Sequence, residues 1–313
     1  MVPARTILHI HHSGRQRPGP VPALLRILCA CFALLIPDQN AHGQIEVVDD
    51  MGRTVTLATS AQRIVSLAPS LTESLFAIGA GDQVVAVTDY CNHPPEAGQK
   101  PTVGGMTDPN IETIITLSPD LIVLSKEGNL KKDFDRLRNL NASLFVSNPR
   151  TLSGIRRSIR QLGTLTGHIE EADTLLASLE AREDSLRTPA GSPRVRTLLI
   201  VSLQPLIVVG KNTFINQLLE AAGAENLASV LSSPYPTYSR EALAAEDPDV
   251  IIVISDALED PSAPGRLFPE WERLSAMRNN RVAVVNADLV SRPGPRAWDG
   301  LEALVHILRR NIP

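Results

Sequence analysis

The residues of this chain that could do chemistry are few and widely spaced. Cys91 and His93 stand beside Tyr90, a grouping that could in principle reach a metal centre, but a buried thiol and a turn histidine ahead of Pro94-Pro95 account for both without one. His93, His168 and His306, the histidines beyond residue 43, lack metal-ligand spacing. Gly79-Ala80-Gly81 follows a helical pattern instead of preceding one and has Val84 where a dinucleotide fingerprint needs its third glycine. A G-x-S-x-G elbow, a phosphate-cradling Walker loop and H-E-x-x-H are all absent. An α/β enzyme with its active site between two domains is therefore the weaker reading, and the expectation is a chain that binds without catalysis, metal ligands or cofactor.

Two glutamates do recur in matched settings. Glu112 lies seven residues before Pro119-Asp120-Leu121-Ile122-Val123, and Glu241 lies seven before Pro248-Asp249-Val250-Ile251-Ile252. Each falls near the start of an equivalent helix, where an acidic side chain gains a few tenths to about 1 kcal/mol from the helix dipole.

The elements that must position these residues form an α/β rhythm. Short apolar runs at Ile64–Leu67, Val84–Val87 and Leu121–Leu124 alternate with helical patterns at 71–78 and 111–117, which predicts βαβ units and a mostly parallel sheet. Ser70 and Glu73 have the spacing of a capping box for the first helix, and Gly79 supplies its stop. From Leu152 to Leu186 apolar residues recur every three or four positions until Pro189, predicting one long helix; some 35 residues span on the order of 50 Å, enough to tie two lobes together. A break near Gly163 to Gly167 is the alternative. The rhythm then resumes at Thr197–Val201, Ile207–Val209, a helix over 213–222, Val250–Ile254 and Val282–Val285. Trp271, Leu274 and Met277, and Trp298 with Leu301, Leu304 and Leu308, read as core-facing positions, the second set on a C-terminal helix. The expected organisation is residues 1–43 as a signal peptide, 44–150 as an N-terminal α/β lobe, 151–188 as the interlobe backbone helix and 189–313 as a C-terminal α/β lobe.

Arg26, the apolar run Ile27 to Ile36 and Ala41-His42-Gly43 follow the order of a secretory signal, with cleavage expected after Gly43. The run is too short to cross a bilayer, which needs about 20 residues. Cys29 and Cys31 lie within it, leaving Cys91 as the single thiol of the exported chain; a lipid anchor on Cys31 is the competing reading. Residues 1–43 carry four Arg and one Asp, so their removal makes the chain more acidic than its formal −4, which argues against nucleic acid or anionic membrane as partner.

Five stretches also carry a family resemblance. Ile64-Val65-Ser66-Leu67-Ala68-Pro69-Ser70-Leu71-Thr72-Glu73, Val87-Thr88-Asp89-Tyr90 with Pro94-Pro95, and Asn110-Ile111-Glu112 ahead of Pro119-Asp120-Leu121 resemble the first lobe of periplasmic cobalamin-binding proteins. Gly210-Lys211 with Asn216-Gln217, and Pro234-Tyr235-Pro236 with Ser239-Arg240-Glu241, resemble the second. The resemblance implies a monomeric periplasmic receptor with a helical backbone, which captures cobalamin (vitamin B12) or a related corrinoid between its lobes and delivers it to an inner-membrane ABC permease. By the same resemblance Tyr90 is a pocket aromatic, Tyr235 keeps a flat ring at a tryptophan position, and Met106 and Leu289 depart from two further tryptophans, leaving room for haem or a ferric siderophore. Asp288 and Arg292 match polar ligand contacts, with a surface ion pair as their plainer reading. Ala68-Pro69-Ser70 is expected at the cleft, beyond the carboxyl end of a strand. Glu112 and Glu241 are expected to dock on permease arginines.

Overall fold

The computed structural model describes residues 44–139, 143–189, 191–255 and 263–310. The expected signal peptide and Cys31 lie outside the described residues. In chain order the elements are β1 Ile45–Val48, β2 Thr54–Leu57, β3 Ile64–Ser66, α1 Pro69–Ala77, β4 Val84–Val87, α2 Ile111–Thr116, β5 Leu121–Ser125, α3 Lys131–Arg138, β6 Ser143–Ser147, α4 Leu152–Thr166 and α5 Ile169–Leu186. There follow β7 Val195–Leu203, β8 Leu206–Val208, α6 Phe214–Ala221, β9 Ala224–Asn226, α7 Arg240–Glu246, β10 Val250–Ile254, α8 Ala263–Leu267, α9 Ser275–Arg278, β11 Val282–Val285, α10 Ala287–Ser291 and α11 Ala297–Arg310.

The apolar runs become two sheets. The first lobe has the order β4-β3-β5-β6, all parallel, with a separate β1–β2 hairpin. The second has β11-β10-β7-β8, in which β10 and β11 run parallel to β7, β8 runs antiparallel to its carboxyl end, and β9 joins its amino half. Strands such as Leu121–Leu124 and Val250–Ile254 are buried throughout because helices cover both faces, which is why they read as continuous apolar runs without alternation.

The segment expected as one long helix is two. Gly167 adopts φ 79°, a left-handed conformation open to glycine, and its amide bonds back to the Gly163 carbonyl, ending α4. After His168, α5 starts again and packs back along α4: Arg156 pairs with Glu183 at 2.5 Å, Arg160 with Asp173 at 3.7 Å, and a Cβ at Gly163 would stand 2.7 Å from that of Ala172. Apolar periodicity continued across the break because both helices bury their stripes in one core.

That core runs through both lobes, from Leu71 and Leu75 on α1 through Ile155, Ile159 and Leu162 on α4, and Leu176 and Leu179 on α5, to Trp298 and Leu301 on α11. Each sheet closes a second cluster on its other face, around Ile122 and Ile114 in the first lobe and around Ile251 and Trp271 in the second. Trp271 and Trp298 are both buried, as expected; Trp271 sits in a 3-10 turn preceding α9 and stacks on Phe268 at 4.7 Å. Among the described residues no helix is long and apolar enough to cross a membrane.

Candidate functional site

The first lobe meets the second at the carboxyl end of β3. Here α1 opens with Pro69 at its first turn and Ala68, in extended conformation, at its N-cap. No side chain caps this helix, so the expected Ser70–Glu73 capping box does not form. The reason lies across the lobe boundary. Glu73, with its side chain 2% exposed, accepts hydrogen bonds from Arg296 Nε at 3.0 Å, Arg296 Nη2 at 2.6 Å and Arg292 Nη1 at 3.1 Å. Charge-assisted bonds to two guanidiniums outweigh a single backbone amide. The Glu73 carboxylate also raises the pKa of the Arg296 guanidinium.

Asp288 and Arg292, one helical turn apart around α10, pair at 2.6 Å, and Arg292 also donates to Asn92 Oδ1 of the first lobe at 2.7 Å. Between the two arginines, Gly294 lies against Ser70: a Cβ there would stand 2.9 Å from the Ser70 carbonyl oxygen. Pro69 and Ser70, expected at a cleft, are buried at the lobe boundary beneath the second lobe's backbone.

A second bridge crosses between the lobes. Arg150, in the loop after β6, pairs with Glu127 at 2.6 Å and donates to the Asn212 carbonyl at 2.5 Å. Tyr235 feels both side chains: burial raises its phenol pKa, the Glu127 charge raises it further, and Arg150 opposes. The strip carrying Tyr235 is fixed by Val208 donating to Pro236 and Gly210 donating to Pro234.

Tyr90 and Tyr235 expose large aromatic surfaces, at 59% and 47%, each in a loop beside one of these bridges. Met106 is half-buried, and its methyl occupies the space a Cβ on Gly128 would fill. Asn129 ties that loop down by donating to the carbonyls of Leu67 and Met106 at 2.9 and 2.8 Å. Leu289 is half-buried, with its carbonyl against Gly300. Cys91 is buried between the hydroxyls of Thr72 and Thr88, at 3.1 and 3.2 Å.

Glu112 and Glu241 match each other closely. Both are exposed in the first turn of their helices, α2 capped by Asn110 and α7 capped by Ser239. The match extends to residues the sequence did not flag. Arg63 donates to the Leu117 carbonyl closing α2, and Arg196 donates to the Glu246 and Asp247 carbonyls closing α7. Asp120 accepts from the amides of Gln62 and Arg63, and Asp249 from that of Arg196.

The residues missed by sequence reading are Glu73 as an interlobe partner, Arg296, Asn92, Arg150 and Glu127. The sequence signal for Arg296 was its four-residue spacing from Arg292, itself four residues after Asp288.

Comparison with known proteins agrees with this architecture. The model of the family described as periplasmic binding protein matches residues 64–289. The vitamin B12-binding protein of Vibrio cholerae is 32% identical over 251 residues, covering 80% of this chain and 90% of that one. The crystal structure of the periplasmic vitamin B12 binding protein of Vibrio cholerae aligns at 29% identity with a TM-score of 0.67, covering 80% of this chain and 98% of its own. A periplasmic heme binding protein from Pseudomonas aeruginosa aligns at 27% identity with a TM-score of 0.70, covering 81% and 94%. The two α/β lobes, the matched helices and a family match spanning both lobes lead to one conclusion: this chain belongs to the periplasmic binding protein family.

Proposed function

We propose that this protein binds cobalamin or a closely related corrinoid between its lobes and presents it to an inner-membrane ABC permease from the periplasm. The observation that carries the reading is the pairing of exposed tyrosine faces, Tyr90 and Tyr235, with a lobe boundary whose arginines are matched by carboxylates. Arg150 has Glu127, while Arg292 and Arg296 have Glu73 and Asp288. A corrin offers a broad apolar face fringed by neutral amides, which suits aromatic surface and paired polar groups. Haem or a ferric siderophore is the alternative within the same fold. The ligand-facing set is Tyr90, Met106, Tyr235, Asp288 and Arg292, with Pro69 and Ser70 shaping the floor beneath Gly294.

Equilibrium titration tests it. Cyanocobalamin should quench the intrinsic fluorescence at micromolar concentration or below; no response to it, with a clear response to a ferric siderophore, reverses the order.

Docking is read from Glu112 and Glu241. Each helix is tied at its carboxyl end by an arginine whose own backbone amide is held by an aspartate, so the two carboxylates stand in matched settings on separate lobes. Cationic loops of a permease would meet them in register, with charge setting encounter rate and orientation. The acidic chain and the expected signal peptide fit this role.

A further inference from the structure

We infer that Glu73 is a positioning residue that sets the charge preference and the width of the interlobe cleft. The inference rests on the reading that a ligand enters between the lobes. Glu73 belongs to the first lobe and both arginines it holds belong to the second, separated from it by 219 and 223 residues. Its carboxylate is almost dry, with 2% of the side chain exposed, and the side chains of Arg292 and Arg296 are 15% and 18% exposed. In such surroundings charge interactions are far less screened than at a wet surface. Two guanidiniums sharing one carboxylate would repel each other if that charge were lost.

The cluster of Glu73, Asp288, Arg292 and Arg296 balances two negative against two positive charges. Glu73 occupies three of the arginines' donor directions, and Asp288 and Asn92 take two more from Arg292. The floor therefore offers no surplus cation to a ligand carboxylate, and a neutral, amide-fringed ligand meets an ordered set of donors. Gly294, between the two arginines, lies directly against Ser70, so the lobes touch where the arginines are anchored. Neutralising Glu73 leaves Asp288 facing two guanidiniums. The floor becomes cationic, the lobes lose one of their bridges, and selection shifts towards anionic ligands.

The test measures cyanocobalamin, whose fringe is neutral, and haem, which carries two carboxylates, on the purified wild type and on Glu73→Gln. In the variant the haem-to-cyanocobalamin affinity ratio should rise about tenfold or more, a change of roughly 1.4 kcal/mol. The rise should shrink with added salt and disappear when Arg296→Gln is added to Glu73→Gln. A purely structural role for Glu73 would lower both affinities together. A ratio within about twofold of wild type, in a variant with an unchanged melting temperature, overturns the inference. Should Glu73→Gln fail to fold, Arg296→Gln alone supplies the test: the ratio should fall below wild type, and an unchanged ratio overturns the inference. A wild type that prefers haem refutes the corrinoid reading and leaves the shift in ratio measurable. If wild type binds neither, small-angle scattering decides: the radius of gyration should grow in Glu73→Gln, and identical profiles overturn the inference.

Discussion

Tyr235 combines an exposed ring with a backbone clamped by the hydrogen bonds of Val208 and Gly210 to its neighbouring prolines. A ring presented in this way loses little freedom when a flat ligand lies on it. Tyr235→Ala is expected to weaken corrinoid binding by about 1 kcal/mol or more, read as at least a fivefold rise in Kd by fluorescence titration; an unchanged Kd removes the ring from the site. Its phenol also reports on the cleft. Burial, aided by the Glu127 carboxylate, raises its pKa, so in a spectrophotometric titration Tyr235 is expected to ionise above the ordinary tyrosine range, and Glu127→Gln to bring it part of the way back. Arg292 has partners of two kinds. Its carboxylate partner Asp288 lies one helical turn away and is legible in sequence, whereas Glu73 and Asn92 reach it only through the fold.

At the scale of elements, the turn between α4 and α5 depends on one backbone conformation. Gly167 has φ 79°, and a Cβ there would stand 3.3 Å from that of Ser60. Gly167→Ala is expected to destabilise the protein by about 1–2 kcal/mol, measured as a lowered denaturation midpoint. A second pin joins α7 to α9. Asp247 accepts from the Ser275 amide at 2.6 Å and from its hydroxyl at 2.7 Å, and the amide bond is the chief cause of a lowered Asp247 pKa. A carboxyl whose pKa falls on folding stabilises the protein above the ordinary aspartate range, and that contribution disappears as pH falls through the lowered value. Asp247→Asn should therefore lower the urea midpoint at pH 7 and converge with wild type in strong acid.

Across the whole molecule, the helix pair and the interlobe bridges do different work. Arg182 on α5 binds Asp299 and Glu302 on α11 at 2.8 and 3.0 Å, while Arg157 and Gln161 on α4 hold the β1–β2 hairpin through Asp50 and the Val48 carbonyl. The pair is thus anchored in both lobes, and the exposed Glu112 and Glu241 stand one on each lobe. Combining Glu112→Ala with Glu241→Ala should leave cyanocobalamin affinity within about twofold of wild type while cutting uptake in cells; a large loss of affinity in the purified double variant would remove the docking role. The period of the apolar runs, their Pro-Asp punctuation and the recurrence of Glu112 and Glu241 were enough to establish two α/β lobes and matched helices, because those features depend on neighbours within a few residues. Tertiary structure decided where the long apolar stripe folds back and whether Glu73 caps its helix or grips the other lobe. Both outcomes are set by packing and charge brought together from distant parts of the chain, and local spacing carries no record of such partners.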